Sequence, residues 1–413
     1  MKLKRLVVNI VLFSLIFVQS AWADFDPTAQ MKSFMEDISK KMAEMQKTIE
    51  QQNKTIEQQN AKIQGLESRE LPIQAVPQAK AEKPKSFQEN LKHYVFGKAE
   101  SLPKSEEKQS VKVGMGSMEL GALLQEWYTF TDQKAKSNFR NRRVELGFSG
   151  RLTDHLKWAS VIDPSLVRED NSTRSILKDV YVAYDGIPHH EIKLGQFKIP
   201  VTEEGFRSSA LIDTIERSFI GTQFGDKRDI GIMGLGKWKY LDYQVGVFNG
   251  TELNSFDKND QKDIAARVVL KPFQDNLLLK GLEGGTSMYY SVPNHNSANS
   301  EKKRIGFEAR YEYKNLSIKS EYMMGQDGTT LVNGWYIQGG YFILPRWQPV
   351  IRFEGFNPNE RLSSSHEFDT TIGLNYFFVY PKTKLQFNYV HKDTAGVNGT
   401  SDNQLITAVQ YAF

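Results

Sequence analysis

From about Glu119 to Phe413 the chain is a series of segments, each roughly ten residues long, in which apolar and polar side chains alternate. The last one shows the pattern: Leu405, Thr407, Val409, Tyr411 and Phe413 share one face, and Ile406, Ala408, Gln410 and Ala412 the other. Successive side chains of a strand point to opposite faces, so a period of two marks strands with one apolar and one mixed wall. Sixteen such strands are expected, near 119–130, 139–150, 154–163, 177–185, 190–198, 229–237, 240–248, 263–271, 279–292, 303–313, 316–325, 334–344, 347–357, 367–378, 382–392 and 403–413. Their connections alternate in length. Gly186–His189, Lys237–Lys239, Lys314–Asn315, Pro345–Arg346 and Tyr380–Lys382 are tight, whereas 164–176, 249–262, 293–302 and 393–402 are long and polar. Short turns at one end and long loops at the other are the asymmetry of a bacterial outer-membrane barrel, and an even strand count returns both barrel ends to the periplasm.

The two walls differ in kind. One suits lipid: Val144, Leu146 and Phe148; Leu241, Tyr243, Val245 and Val247; Ile305, Phe307, Ala309 and Tyr311; Phe368, Thr370, Ile372, Leu374 and Tyr376. The other carries Arg143 and Glu145, Lys157, Lys193, Arg267 and Lys271, Arg310 and Glu312, Lys319 and Glu321, Arg352 and Glu354, and Lys384. Charges at strand centres are prohibitive inside a sandwich core, but a water-filled lumen tolerates them. Sixteen strands enclose an aqueous channel rather than an interior filled by side chains, so the residues themselves indicate a pore. Aromatic residues gather near strand ends (Trp127 and Tyr128, Trp238 and Tyr240, Trp335 and Tyr336, Trp347), where amphipathic rings suit the headgroup region.

The start of the chain is of a different nature. Lys2, Lys4 and Arg5, an apolar run from Leu6 to Val18, and Ala21-Trp22-Ala23 read as a cleavable signal peptide over residues 1–23. Its removal takes three of the 53 basic residues and none of the 49 acidic ones, leaving 50 against 49. So balanced a chain, with no basic patch, has no nucleic-acid partner. Cysteine is absent, which fits an exported fold whose strands are all paired and which needs no disulfide. Over residues 31–66, Met35, Met42, Ile49, Ile56 and Ile63 recur every seventh position, with Ile38, Met45, Gln52, Gln59 and Leu66 three later. This is an α-helical coiled coil of open strand number, placed in the periplasm by the even strand count. Residues 67–110, with Pro72, Pro77, Pro84 and Pro103 among charged and small residues, read as a linker to a barrel over 111–413.

The connection from Ile199 to Arg228 is too long for a casual loop and is expected to fold into the lumen, with a short helical stretch from Ala210 to Glu216. Here the sequence acquires a family likeness. The runs Phe139-Arg140-Asn141-Arg142-Arg143-Val144-Glu145-Leu146-Gly147-Phe148, Lys178-Asp179-Val180-Tyr181-Val182-Ala183-Tyr184, Leu194-Gly195-Gln196-Phe197-Lys198-Ile199-Pro200, Glu216-Arg217-Ser218 and Arg228-Asp229-Ile230-Gly231-Ile232 resemble the phosphate-selective porins of the O and P type. The resemblance covers about 120–413. It implies a trimeric sixteen-stranded outer-membrane channel, a third loop folded inward, and lumen Arg and Lys residues that guide anions. By that resemblance Arg142 and Arg143 match the family's paired arginines and Arg228 its basic residue after the third loop.

The expected anion pathway is therefore Arg142, Arg143, Lys157, Lys193, Arg207, Arg217, Lys227, Arg228, Arg267, Arg310 and Arg352, with a small anion such as phosphate as the permeant. Strict alternation puts only Arg143 squarely in the lumen and Arg142 on the opposite wall. Clustered cations favour an anion, yet the 199–228 loop sets Glu203, Glu204, Asp213, Glu216 and Asp226 against its four bases, so a general non-selective porin stays open. So does a barrel whose coiled coil tethers the outer membrane to the cell wall. An enzyme is not expected, since the chain has no G-x-S-x-G and its seven histidines lack triad spacing. No cofactor or metal site is expected: His189-His190 has no third ligand near it in sequence.

Overall fold

The computed structural model describes residues 110–113, 116–132, 136–167, 175–257, 261–291, 301–362, 366–394 and 400–413. The expected signal peptide, the coiled coil and the linker up to residue 109 lie outside them.

A short strand, β1 (Ser110–Val113), precedes sixteen long ones. These are β2 (Gly116–Thr131), β3 (Lys136–Thr153), β4 (Leu156–Ile162), β5 (Leu177–Tyr184), β6 (His190–Lys198), β7 (Arg228–Lys237), β8 (Leu241–Phe248) and β9 (Asp263–Leu270). They continue with β10 (Leu282–Ser291), β11 (Lys302–Tyr313), β12 (Leu316–Asp327), β13 (Thr330–Tyr341), β14 (Trp347–Asn357), β15 (Glu367–Val379), β16 (Thr383–Thr394) and β17 (Thr400–Ala412). From β2 to β17 each strand pairs antiparallel with its sequence neighbours, and β17 pairs with β2, Gln404 opposite Thr131 and Ala412 opposite Leu123. The sheet is thus a closed barrel of sixteen strands. The start of β2 extends past the end of β17, and β1 takes up that edge, Ser110 opposite Glu119 and Val113 opposite Gly116.

Every expected strand is present, because a period of two survives wherever one wall meets lipid and the other does not. The loop pattern differs in two places. Between β12 and β13 the turn is tight on the long-loop side, Asp327 pairing with Thr330, because Gly328 takes φ +58. Between β9 and β10, residues 271–281 form a longer, internally bonded connection on the short-turn side, with Lys280 N–H donating to the Asn276 carbonyl at 2.9 Å.

Exposure is the inverse of a water-soluble protein's. Ile337, Ile372, Leu405, Val409 and Phe413 are exposed, while Asn375, Lys384, Gln386, Asn388 and Gln410 are almost fully buried. Rings gather at the short-turn end: Trp238 stacks on Tyr243 at 5.5 Å, Trp347 lies 4.8 Å from Tyr376, and Tyr411 5.7 Å from Phe413. Tyr128 and Phe139, 4.7 Å apart, mark the other end. Two residues expected in these belts face inward instead. Trp127 packs with Ile215, Val390, Ile406 and Ala408, and Tyr336 is buried with its hydroxyl on Glu321 at 3.0 Å. Each follows an outward neighbour by one position, so the alternation itself sends it inside.

Candidate functional site: the barrel lumen

The connection between β6 and β7, residues 199–227, lies inside the barrel. Its main chain reaches wall donors all round one side. Lys384 donates to the Ile212 carbonyl, Gln386 and Asn375 to that of Asp213 (3.1 and 2.8 Å), Arg352 to that of Glu216 (2.9 Å) and Gln410 to that of Ala210 (2.9 Å). The expected helix from Ala210 to Glu216 does not form, for this reason: carbonyls that would accept from within a helix accept from the wall. Helical turns appear on either side, α1 (Glu203–Phe206) capped by the Thr202 hydroxyl, a 3₁₀ turn at Ser209–Leu211, and a π-helical turn at Ile220–Phe224.

Two wall carboxylates hold the starts of these turns. Glu321 on β12 accepts from the backbone N–H of Glu203 and Glu204 at 2.8 and 2.9 Å, and Glu354 on β14 accepts from Phe219 N–H at 2.6 Å. Acceptor oxygens at the orphan N–H groups of a helical turn satisfy donors that have no partner within the turn. The two ends of the loop meet at Gly205 and Gly225, where a Cβ on either would sit within 2.7 Å of the other's Cα. Beneath them the loop buries Ile199, Val201, Ile220 and Phe224 against Phe197, Met233, Leu235, Phe248, Met323 and Val332 of the wall. One side of the lumen is therefore an apolar core. Loop and wall side chains fill that side of the expected aqueous channel.

The expected pathway cations are inward or in the loop, but most are neutralised. Arg207 pairs with Glu203, Arg217 and Arg228 with Asp226, Arg228 also with Asp179 (2.9 Å), and Arg267 with Glu308 (2.6 Å). Arg310 reaches Glu283 (2.5 Å), Arg352 reaches Glu354 (2.7 Å), and Lys157 and Lys193 share Glu191 (3.1 and 3.5 Å). Lys227 is exposed and pairs with no carboxylate among the described residues. At the short turn below β4 and β5, Arg151 and Lys157 both bind Asp185 and hold its carboxyl at about 2.

One stretch departs from this balance. Opposite β2, the β3 register shifts between Gln125 and Glu126: Gln125 faces Arg143 and Glu126 faces Asn141. Arg142 is the extra residue of a bulge, and it turns inward rather than to the opposite wall, correcting the strict alternation. Its Nε and one terminal nitrogen donate to Glu216 Oε2 at 2.9 and 2.6 Å, and Arg143 donates to Oε1 at 3.1 Å. Burial would raise the Glu216 carboxyl, but Arg143 and Arg142 outweigh it and hold the group at about 2. Beyond the bulge the parity is reversed, so Arg140 also faces inward, opposite Trp127. Sequence reading missed Arg140, since a bulge leaves no mark in the hydrophobic period.

A closed sixteen-stranded barrel with an apolar outer wall, a charged inner wall and one connection folded inside defines the class: a porin-type channel of the outer membrane. Residues 124–413 match the family described as phosphate-selective porin O and P, and the chain belongs to that family. Its fold is similar to that of the outer-membrane channel DcaP of Acinetobacter baumannii, at 14% identity and a TM-score of 0.55, over 75% of this chain and 100% of that one. It is also similar to the anion-selective porin from Comamonas acidovorans (13%, TM-score 0.52, 72% and 100%). A third similar structure is the trimer form of OmpT from Vibrio cholerae (11%, TM-score 0.51, 73% and 100%). No curated protein matches the chain by sequence. Identities this low bear on fold; membership of the family makes the chain a porin, an outer-membrane channel for small solutes.

Proposed function

We propose that this porin prefers small anions, phosphate among them, and that the β3 arginines supply the preference. One observation carries the reading: Arg140, Arg142 and Arg143 face inward against a single carboxylate, Glu216. Most other lumen cations among the described residues are offset locally by acids, so the field in the lumen is most positive here. Lys157, Lys193, Arg207, Arg217, Arg228, Arg267, Arg310 and Arg352 extend the pathway as paired charges that a passing anion meets in turn, and Lys227 extends it as an exposed one. The family description and the anion-selective neighbour support the same direction. A general diffusion pore is the second reading, favoured by the ion pairing of the other lumen cations. Reversal potential across a planar bilayer under a KCl gradient separates the two. A potential on the chloride side of zero, with current reduced by phosphate, is expected. A potential on the potassium side, with no phosphate effect, removes the anion reading.

We also infer a homotrimer. Its support is an outward carboxylate, Glu126, set between Leu124 and Tyr128 on the wall that otherwise meets lipid, together with a structural neighbour solved as a trimer.

A further inference from the structure

We propose that Trp127 and Arg140 form a binding subsite for small oxyanions on the lumen face of β2 and β3. The subsite rests on the anion reading above and adds to it the groups that make contact. Arg142 and Arg143 are engaged by Glu216 through three charge-assisted bonds of 2.6 to 3.1 Å, so an anion passing them must displace a carboxylate already in place. Arg140 is different. It has no carboxylate partner among the described residues, and its guanidinium lies over the Trp127 ring at 4.6 Å. Stacking occupies the face of a guanidinium and leaves its in-plane N–H donors free for an acceptor. Arg142 stands over the same ring at 5.2 Å, so the indole carries two cations.

The second observation concerns the indole itself. Trp127 is 3% exposed, yet its Nε1–H donates to nothing among the described residues. Buried donors without acceptors are rare in native folds, and each one asks for an explanation. Ile215, Val390, Ile406 and Ala408 pack with the ring as a buried apolar cluster. An orphan N–H on a ring flanked by two guanidiniums, one held by Glu216 and the other uncommitted, presents donors and positive charge on the Arg140 side. A carboxylate or a phosphate, with two or more acceptor oxygens, satisfies both the N–H and the free edge of Arg140.

Two substitutions test this in the full chain reconstituted in planar bilayers. Arg140→Gln removes the uncommitted cation, and Trp127→Phe removes the N–H while keeping a ring. The readout is the concentration of inorganic phosphate, and separately of acetate, that halves the chloride current. Arg140→Gln raises that concentration about tenfold, the loss of one charge-assisted bond, and moves the reversal potential toward zero. Arg140→Lys recovers part of both, and Trp127→Phe raises the concentration by a smaller factor. A shift with phosphate alone assigns the subsite to tetrahedral anions, and a shift with both assigns it to oxyanions generally. Wild-type half-block concentrations for both anions in Arg140→Gln and Trp127→Phe overturn the subsite and leave the channel's anion preference standing. A wild-type channel that favours potassium removes the reading beneath it instead.

Discussion

Glu216 sets the balance of charge at the β3 arginines. It accepts from both Arg142 and Arg143, and with its carboxyl held at about 2 it stays ionised across the working range of an envelope protein. Glu216→Gln removes the one carboxylate among three guanidiniums, so anion preference rises and the reversal potential moves further toward chloride. The pH dependence follows from the direction of the shift. The folded value lies below the ordinary 4.5, so the contribution to docking the loop is fully present above about 4.5 and is lost as pH falls through about 2. The difference in reversal potential between wild type and Glu216→Gln is therefore constant from pH 7 to pH 4. A difference that collapses near pH 5 contradicts the tight pairing of this carboxylate.

The inserted connection is held by the wall more than by itself. Its helical turns are single, too short to persist without partners. Glu321 and Glu354 supply those partners at Glu203, Glu204 and Phe219. Glu321→Gln keeps the size but replaces one acceptor oxygen by an NH2 group that cannot accept, which weakens docking by about 1–3 kcal/mol. The expected outcome is a barrel with unchanged strand content, faster cleavage by trypsin at Arg207 or Arg217, and larger current fluctuations. Deleting 204–222 goes further and raises single-channel conductance; an unchanged conductance would show that the loop does not narrow the path. This element also marks how far the sequence was legible. The strands were readable because lipid on one side and charge on the other impose the period of two, from Val144 to Phe413. Loop insertion was readable from length alone. Its conformation was not, because donors such as Lys384, Gln386 and Gln410, 172 to 200 residues away, decide how the carbonyls of Ala210, Ile212 and Asp213 bond. The bulge at Arg142 was hidden for the same kind of reason: it is a property of the β2–β3 register, and no single strand records it.

At the scale of the whole barrel, closure between β17 and β2 brings the first and last long strands together, and their outer wall is unlike the rest. Glu126 stands opposite Val409 on β17 and beside Asn141 on β3, between the Tyr128–Phe139 rings at one end and Tyr411 and Phe413 at the other. A carboxylate at that depth facing lipid costs on the order of 1 kcal/mol or more, and among the described residues nothing on the outer wall of this strand pair offers it a cation. Contact with a second copy removes it from lipid and gives the exposed Phe139, 81% accessible in the single chain, an apolar partner. The consequence is asymmetric. If this wall meets another subunit, Glu126→Lys places a new charge in a close-packed interface. The detergent-solubilised mass then drops from three chains to one while the folded barrel persists, as read by light scattering and by heat-dependent migration. If the wall meets lipid, Glu126→Leu raises the thermal midpoint of the barrel and Glu126→Lys leaves the mass as it was. Glu126→Leu in an interface gives a trimer with one polar contact fewer, so the two substitutions together decide which surface lies against the membrane.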